Sequence, residues 1–211
     1  MVTKLDLRKQ LKHLYEPPTK QVVEIDVPAM TFLMLDGQGD PNTAASYQQA
    51  IEALYGLAYT LKFACKKTLG LDYPVMPLEG LWWMDDMGGR FGDVDFAADK
   101  SRWKWTMMVM LPDEVPADAV EAVRQELGAK KELPALADVR VERFEEGLAA
   151  QIMHLGPYAE EKPTIEKVHR FIEEAGCEPR GKHHEIYIGD PRRSAPEKLR
   201  TVVRQPMARK A

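Results

Sequence analysis

Apolar and polar positions along the chain change period repeatedly, and each change marks an element. Leu5, Leu7, Leu11 and Leu14 predict a short amphipathic helix ended by Pro17-Pro18, in an arm of residues 1–20. Gln21 to Val27 and Met30 to Asp36 read as strands broken at Pro28, with Gly37-Gln38-Gly39-Asp40-Pro41 as the following turn. From Ser46 onward Tyr47, Ile51, Leu54, Leu57, Ala58, Leu61 and Cys65 recur at helical spacing, and Gly70 supplies a left-handed stop. A strand follows at Gly80 to Met84. After a polar Gly-Asp loop another runs from Arg102 to Met110, closed by Pro112.

The same order then returns. Val139 to Phe144 and Leu148 to Leu155 predict strands, and Gly156-Pro157 a turn. Ile165, Val168, Phe171 and Ile172 form the stripe of a helix over Pro163 to Ala175, stopped by Gly176. Strands at His183 to Ile188 and Leu199 to Arg204 complete the set, the last closed by Pro206. The expected fold is therefore α+β, a single domain over 21–211 built from two pseudo-symmetric strand-strand-helix-strand-strand repeats. The repeats cover about 21–112 and 138–207, joined by a helix at about 116–128. Laying Trp82 against Tyr187 puts Gly80 opposite Glu185. Two antiparallel half-sheets facing each other would then enclose a central cleft, with Trp82 on one side and Glu185 with Tyr187 on the other. A slip of one residue would turn Glu79 and Trp83 inward instead.

Alternation along His183-His184-Glu185-Ile186-Tyr187 sends Ile186 to one face and His183, Glu185 and Tyr187 to the other, before a Gly189-Asp190-Pro191 turn. The solvated face of an edge strand gives the same pattern. The sharper reading is a carboxylate among aromatic rings, able to accept a proton or to neutralise a bound cation. Trp103, Trp105 and Met107 share one face of their strand, as an aromatic core or as the wall of a cleft for a flat ligand. Met30, Met34, Met76, Met84, Met107, Met108, Met110 and Met153 suit either core filling or a pliable wall. His154, just before Gly156-Pro157-Tyr158, would close the cleft or hydrogen-bond the turn.

Composition removes whole classes of function. Apolar residues at 45% and charged residues at 29% describe an ordinary soluble domain, and a net charge of −4 supplies no basic field for nucleic acid. Arg192, Arg193, Lys198, Arg200, Arg204, Arg209 and Lys210 make the end of the chain basic, which reads as a solvated rim. No apolar run reaches the ~20 residues of a membrane span, and Met1 to Tyr15 does not read as a signal peptide. Cys65 and Cys177 predict reduced structural thiols and a cytoplasmic setting. His183 and His184 face opposite ways and make no zinc spacing with Cys177, so no metal site is expected. The Gly37-Gln38-Gly39 turn lacks the ending of a phosphate-binding loop, and no Gly-x-Ser-x-Gly elbow occurs.

Three stretches carry a more specific likeness: Met-Pro-Leu-Glu-Gly-Leu-Trp-Trp at Met76 to Trp83, His-Leu-Gly-Pro-Tyr at His154 to Tyr158, and the run from His183 to Pro206. In this order and spacing the chain resembles the stand-alone GyrI-like small-molecule-binding proteins. The resemblance implies a duplicated SHS2-type module, also called the effector-binding fold of bacterial transcription activators, with ligand in a cleft between the halves. Some members are effector domains of multidrug-responsive regulators, a role that needs a DNA-binding helix-turn-helix for which the arm is too short. Some relate to a gyrase-inhibitory protein, and some hydrolyse cyclopropanoid genotoxins. It implies Glu185 as the acidic residue that meets ligand or serves catalysis, with Tyr187 and Trp82 beside it, and Tyr158 and Glu79 near it. The expectation is a cytoplasmic hydrolase that opens cyclopropanoid alkylating agents without cofactor. Glu185 would be its general base, Tyr187 or Tyr158 its oxyanion donor, and Trp82 with Trp105 the grip on the substrate. The competing expectation is a non-catalytic drug-sequestering or gyrase-modulating protein. The expected partner is a small aromatic, cationic or electrophilic molecule, with an exposed sheet edge offering a surface for a homodimer.

Overall fold

Strand and helix positions follow the apolar periodicity, while their mutual arrangement departs from the expected one. The computed structural model describes residues 2–85, 100–189 and 194–210. The polar loop after Met84 falls largely outside these residues, as do Asp190, Pro191, Arg192 and Arg193 of the predicted turn and rim. In chain order the strands are β1 (Thr3–Lys4), β2 (Val23–Val27), β3 (Met30–Gln38), β4 (Leu71–Asp72), β5 (Leu78–Trp83) and β6 (Lys104–Leu111). They continue as β7 (Arg140–Phe144), β8 (Gly147–Leu155), β9 (Cys177–Pro179), β10 (His183–Tyr187) and β11 (Arg200–Arg209). The helices are α1 (Leu7–Gln10), α2 (Lys12–Tyr15), α3 (Ala45–Thr68), α4 (Ala117–Lys130) and α5 (Lys162–Glu174).

Among the described residues one large antiparallel sheet runs β2-β8-β11-β10-β5-β6-β3-β7, with β9 added along the end of β11. Exchanging β2 with β7, β3 with β8, β5 with β10 and β6 with β11 reverses this order onto itself. The opening strand of each half has crossed to the far edge of the other. The seam is β5–β10, where Gly80 pairs with Glu185 and Trp82 with His183. This corrects the expectation of two half-sheets facing across a gap: the halves join edge to edge. Left apart, β5 and β10 would each expose a row of unpaired N–H and C=O groups, and their pairing satisfies both.

Helices α3 and α5 lie on one face of the sheet, and α4 packs against α3. The stripe of α3 buries Leu54, Leu57, Leu61 and Cys65 against Leu33, Leu35, Met107 and Val109, while α5 buries Ile165, Val168 and Ile172 against Ile152, Val203 and Met207. Gly70 and Gly176, at φ 65° and 69°, adopt the left-handed conformation foreseen for the helix stops. On the opposite face the arm is part of the core. Leu7, Leu14 and Tyr15 are buried, and the Pro18 carbonyl accepts from the Met153 N–H at 2.9 Å. The arm makes two short helical turns in place of one helix.

Proline 206 does not end its strand. β11 pairs with β10 up to Arg204 and with β9 from Met207, so Pro206 sits at the change of neighbour, where its missing N–H breaks no ladder. Both cysteines are buried and free. Met34, Met76, Met107, Met108 and Met153 are core residues. No helix among the described residues is long and apolar enough to cross a membrane.

Candidate functional site

Alternation sends Glu185 and Tyr187 of β10 and Trp82 of β5 to the sheet face that carries α3 and α5, in the interval between the two helices. A chain of donors ties them together. The indole Nε1–H of Trp82 donates to the Tyr187 hydroxyl at 3.0 Å, and that hydroxyl donates to Glu185 Oε2 at 2.8 Å. His183, one alternation back on β10, places Nε2 3.3 Å from Glu185 Oε1.

The helices supply the walls. Tyr47, in the first turn of α3, lies over Trp82 with ring centroids 6.0 Å apart and meets Trp105 edge-on at 5.3 Å. Tyr158, in the turn before α5, meets Tyr187 edge-on at 5.4 Å. Glu161, the residue capping α5, brings a second carboxyl against Glu185 and Thr201. Trp103 packs edge-on to Trp82 at 5.8 Å.

Burial alone would push the Glu185 carboxyl up. His183 and Tyr187 outweigh it, and the net shift is downward, so Glu185 is a carboxylate at neutral pH. Tyr187 is pushed well above its usual range by burial and then by the Glu185 charge, and Tyr47 shifts the same way for the same reasons. Both phenols are therefore neutral donors. The arrangement can hold a water or a cation against an anionic oxygen while presenting aromatic faces to a flat ligand.

The other residues singled out in the sequence fall in three places. Tyr158 lies at the surface, 37% exposed. Trp105 is 0% exposed beneath Tyr47, its ring occupying the space where Gly37 lacks a side chain, so it backs the wall. His154 binds the turn, with Nδ1 2.9 Å from Thr164 Oγ1 and Nε2 3.3 Å from the Pro157 carbonyl. Burial, ahead of its other influences, lowers its pKa. Glu79 is not brought together with the others: it faces the opposite side of the sheet.

There Glu79 joins a buried polar network that the sequence did not disclose. Tyr15 donates to Glu79 at 2.7 Å, His184 bridges Glu79 and Glu146 at 3.0 Å on each side, and Arg204 donates to Glu146 at 3.0 Å. Arg204 also binds Gln151 and the Leu14 carbonyl. It is 1% exposed, which removes it from the solvated rim expected of the C-terminal cations. Desolvation would lower His184, yet Glu146 and Glu79 hold its imidazole up at about 9. Glu146 is drawn down to about 2 by His184 and Arg204 against its own desolvation. A cavity of about 250 Å³ opens on this face, lined by Met34, Leu81, Phe144, Arg140, Arg180 and Lys182 among others, across the sheet from Glu185.

Tyr47, Glu161 and Thr201 are site neighbours that sequence reading missed. Tyr47 was legible only as one more position in an apolar stripe, although a phenol there was a usable signal. Glu161 gave none, because its burial depends on the second half of the sheet.

Comparison with known proteins gives the family and relatives of the same fold. The model of the GyrI-like small molecule binding domain matches residues 20–207. An uncharacterized conserved protein from Listeria innocua is 37% identical, with 97% of this chain and 100% of that one covered and a TM-score of 0.86. A hydrolase from the same organism is 37% identical over 98% and 100% of the two chains, with a TM-score of 0.84. The C-terminal domain of EcmrR shares the fold at 11% identity, over 90% of this chain and 98% of that one, with a TM-score of 0.55. No curated protein sequence matches the chain. With the family pattern spanning all but the arm and the last few residues, the chain belongs to the GyrI-like small-molecule-binding family.

Proposed function

We propose that this protein is a hydrolase of small electrophilic molecules, and that it opens the strained ring of cyclopropanoid alkylating agents. The observation that carries the reading is the Glu185 carboxylate, kept ionised by Tyr187 and His183 beside the rings of Trp82, Tyr47 and Tyr158. The 37% identical hydrolase from Listeria innocua supports it. In the reaction a water oxygen bonds to the ring methylene carbon while Glu185 takes the proton from its O–H bond. The carbon–carbon bond of the ring breaks, and its electron pair moves through the conjugated system to the carbonyl oxygen. Such a base is typically worth about 10²- to 10⁴-fold in rate. The Tyr187 hydrogen is committed to Glu185, so the more exposed Tyr158 is the better donor to the developing oxyanion. Trp82 and Tyr47 hold the flat body of the substrate, with Trp105 behind them. The reversible strand order supports reading 21–112 and 138–207 as duplicated repeats, with the site at their junction.

An ionised carboxylate among aromatic rings also suits capture of a planar organic cation without chemistry. Hydrolysis of a spirocyclopropyl dienone and binding of the same compound, measured for wild type and Glu185→Gln, separate the two. Turnover lost with binding kept is expected. Wild-type turnover no faster than the uncatalysed reaction would overturn the hydrolase.

A further inference from the structure

Glu161 at the start of α5 and Glu185 on β10 bring two carboxyls together between the helices and the sheet. Glu161 is 3% exposed, its Oε1 has no hydrogen-bond partner, and no lysine or arginine among the described residues forms an ion pair with it. The Glu185 side chain is 13% exposed and already accepts from Tyr187. Two carboxyls in contact away from water cannot both be ionised, and two acceptors attract only when a proton lies between them. The surroundings decide which one carries it. A phenol donor and an imidazole nitrogen face Glu185, whereas Glu161 has the neighbouring negative charge beside it and a Thr201 hydroxyl that makes no hydrogen bond.

We propose that Glu161 stays neutral and donates its proton to Glu185, so that the pair carries one negative charge and Glu161 is the positioning residue for the working carboxylate. This rests on the reading in which Glu185 meets the ligand. Burial, followed by the Glu185 charge, pushes Glu161 well above the usual carboxyl range, in accord with the geometry. A second ionised carboxylate would repel the negative charge that ring opening develops; a neutral one holds Glu185 ionised and in place. The other titratable groups around the pair are His183 and Tyr187 of β10, Tyr47 of α3, Tyr158 and Glu160 of the turn before α5, and His154 of β8. Tyr47 and Tyr187 are held neutral well beyond neutral pH.

Infrared spectra of the full chain at pH 7 read the pair directly. A protonated-carboxyl stretch present in wild type and absent from Glu161→Gln is expected; no such band, or one that survives the substitution, overturns the proposal. The second measurement is the pH dependence of binding N-methylquinolinium, a planar cation. Binding is lost as pH falls through the Glu185 pKa. Glu161→Gln keeps an N–H donor and the wild-type midpoint, while Glu161→Leu has none and moves the midpoint up by about one pH unit. An unmoved midpoint in Glu161→Leu also overturns the proposal. The expected band together with no quinolinium binding at any pH upholds the pair and overturns the cation-binding reading.

Discussion

Gly80 and Glu185 are register partners across the β5–β10 seam, and the glycine is what lets the site close above it. A Cβ at position 80 would lie 2.8 Å from Trp82 Nε1 and 3.2 Å from the Tyr187 hydroxyl. Trp82 and Tyr187 lean over the bare backbone to reach each other, and their hydrogen bond orients the donor that holds Glu185. Gly80→Ala is expected to separate the indole from the phenol, with an overpacking cost of about 1–3 kcal/mol and weaker ligand binding. Near-ultraviolet circular dichroism and Tm together check this. An unchanged aromatic signal at full affinity would show that the close approach is not needed.

Tyr187→Phe removes one hydroxyl that serves two partners. The Trp82 N–H loses its acceptor, and Glu185 loses a donor to its charged form. We expect a loss of about 1–3 kcal/mol in stability. Because Tyr187 lowers the Glu185 pKa, its removal raises that pKa, so binding or turnover that needs the carboxylate fails at a higher pH than in wild type. Chemical denaturation and a pH profile of ligand binding give the two readouts.

The network on the opposite face makes stability depend on pH with a defined sign. His184 is held at about 9 against an ordinary 6.5, so its contribution is complete below 6.5 and is lost as pH rises through 9. Glu146, drawn to about 2 from 4.5, contributes fully above 4.5 and is lost as pH falls through 2. Tm is expected to be highest between these ordinary values and to decline on the alkaline side by the equivalent of about 3 kcal/mol. In His184→Gln the alkaline decline should vanish; its persistence would assign the effect to another group.

Arg204→Met tests the same network by leaving Glu146 with His184 but without the guanidinium, and by freeing the Leu14 carbonyl and Gln151. Removing one partner of a buried ion pair typically costs about 3–5 kcal/mol. Denaturant midpoints check the size. A loss under 1 kcal/mol would show that the arm and Glu146 find other partners.

Local periodicity was enough to place the longer strands and helices, because each answers to its own spacing of apolar residues: Leu54, Leu57 and Leu61 at helical intervals, Glu185 and Tyr187 two apart on one face; the short strands β1, β4 and β9 carry no such period. Laying one repeat on the other put Gly80 opposite Glu185 and kept Trp82, Glu185 and Tyr187 together as candidates, although the strands pair Trp82 with His183 and not with Tyr187. What period cannot encode is which strand lies beside which, since hydrogen bonding between strands uses backbone groups common to every residue. The edge-to-edge seam, the crossing of β2 and β7, and the reach of β11 past Pro206 were settled only in three dimensions. So were the burial of Arg204, the turning of Glu79 to the face opposite Glu185, and the meeting of Glu161 with Glu185. The charge and burial of each of these side chains depend on neighbours tens of residues away, and that proximity exists only once the two halves have closed on each other.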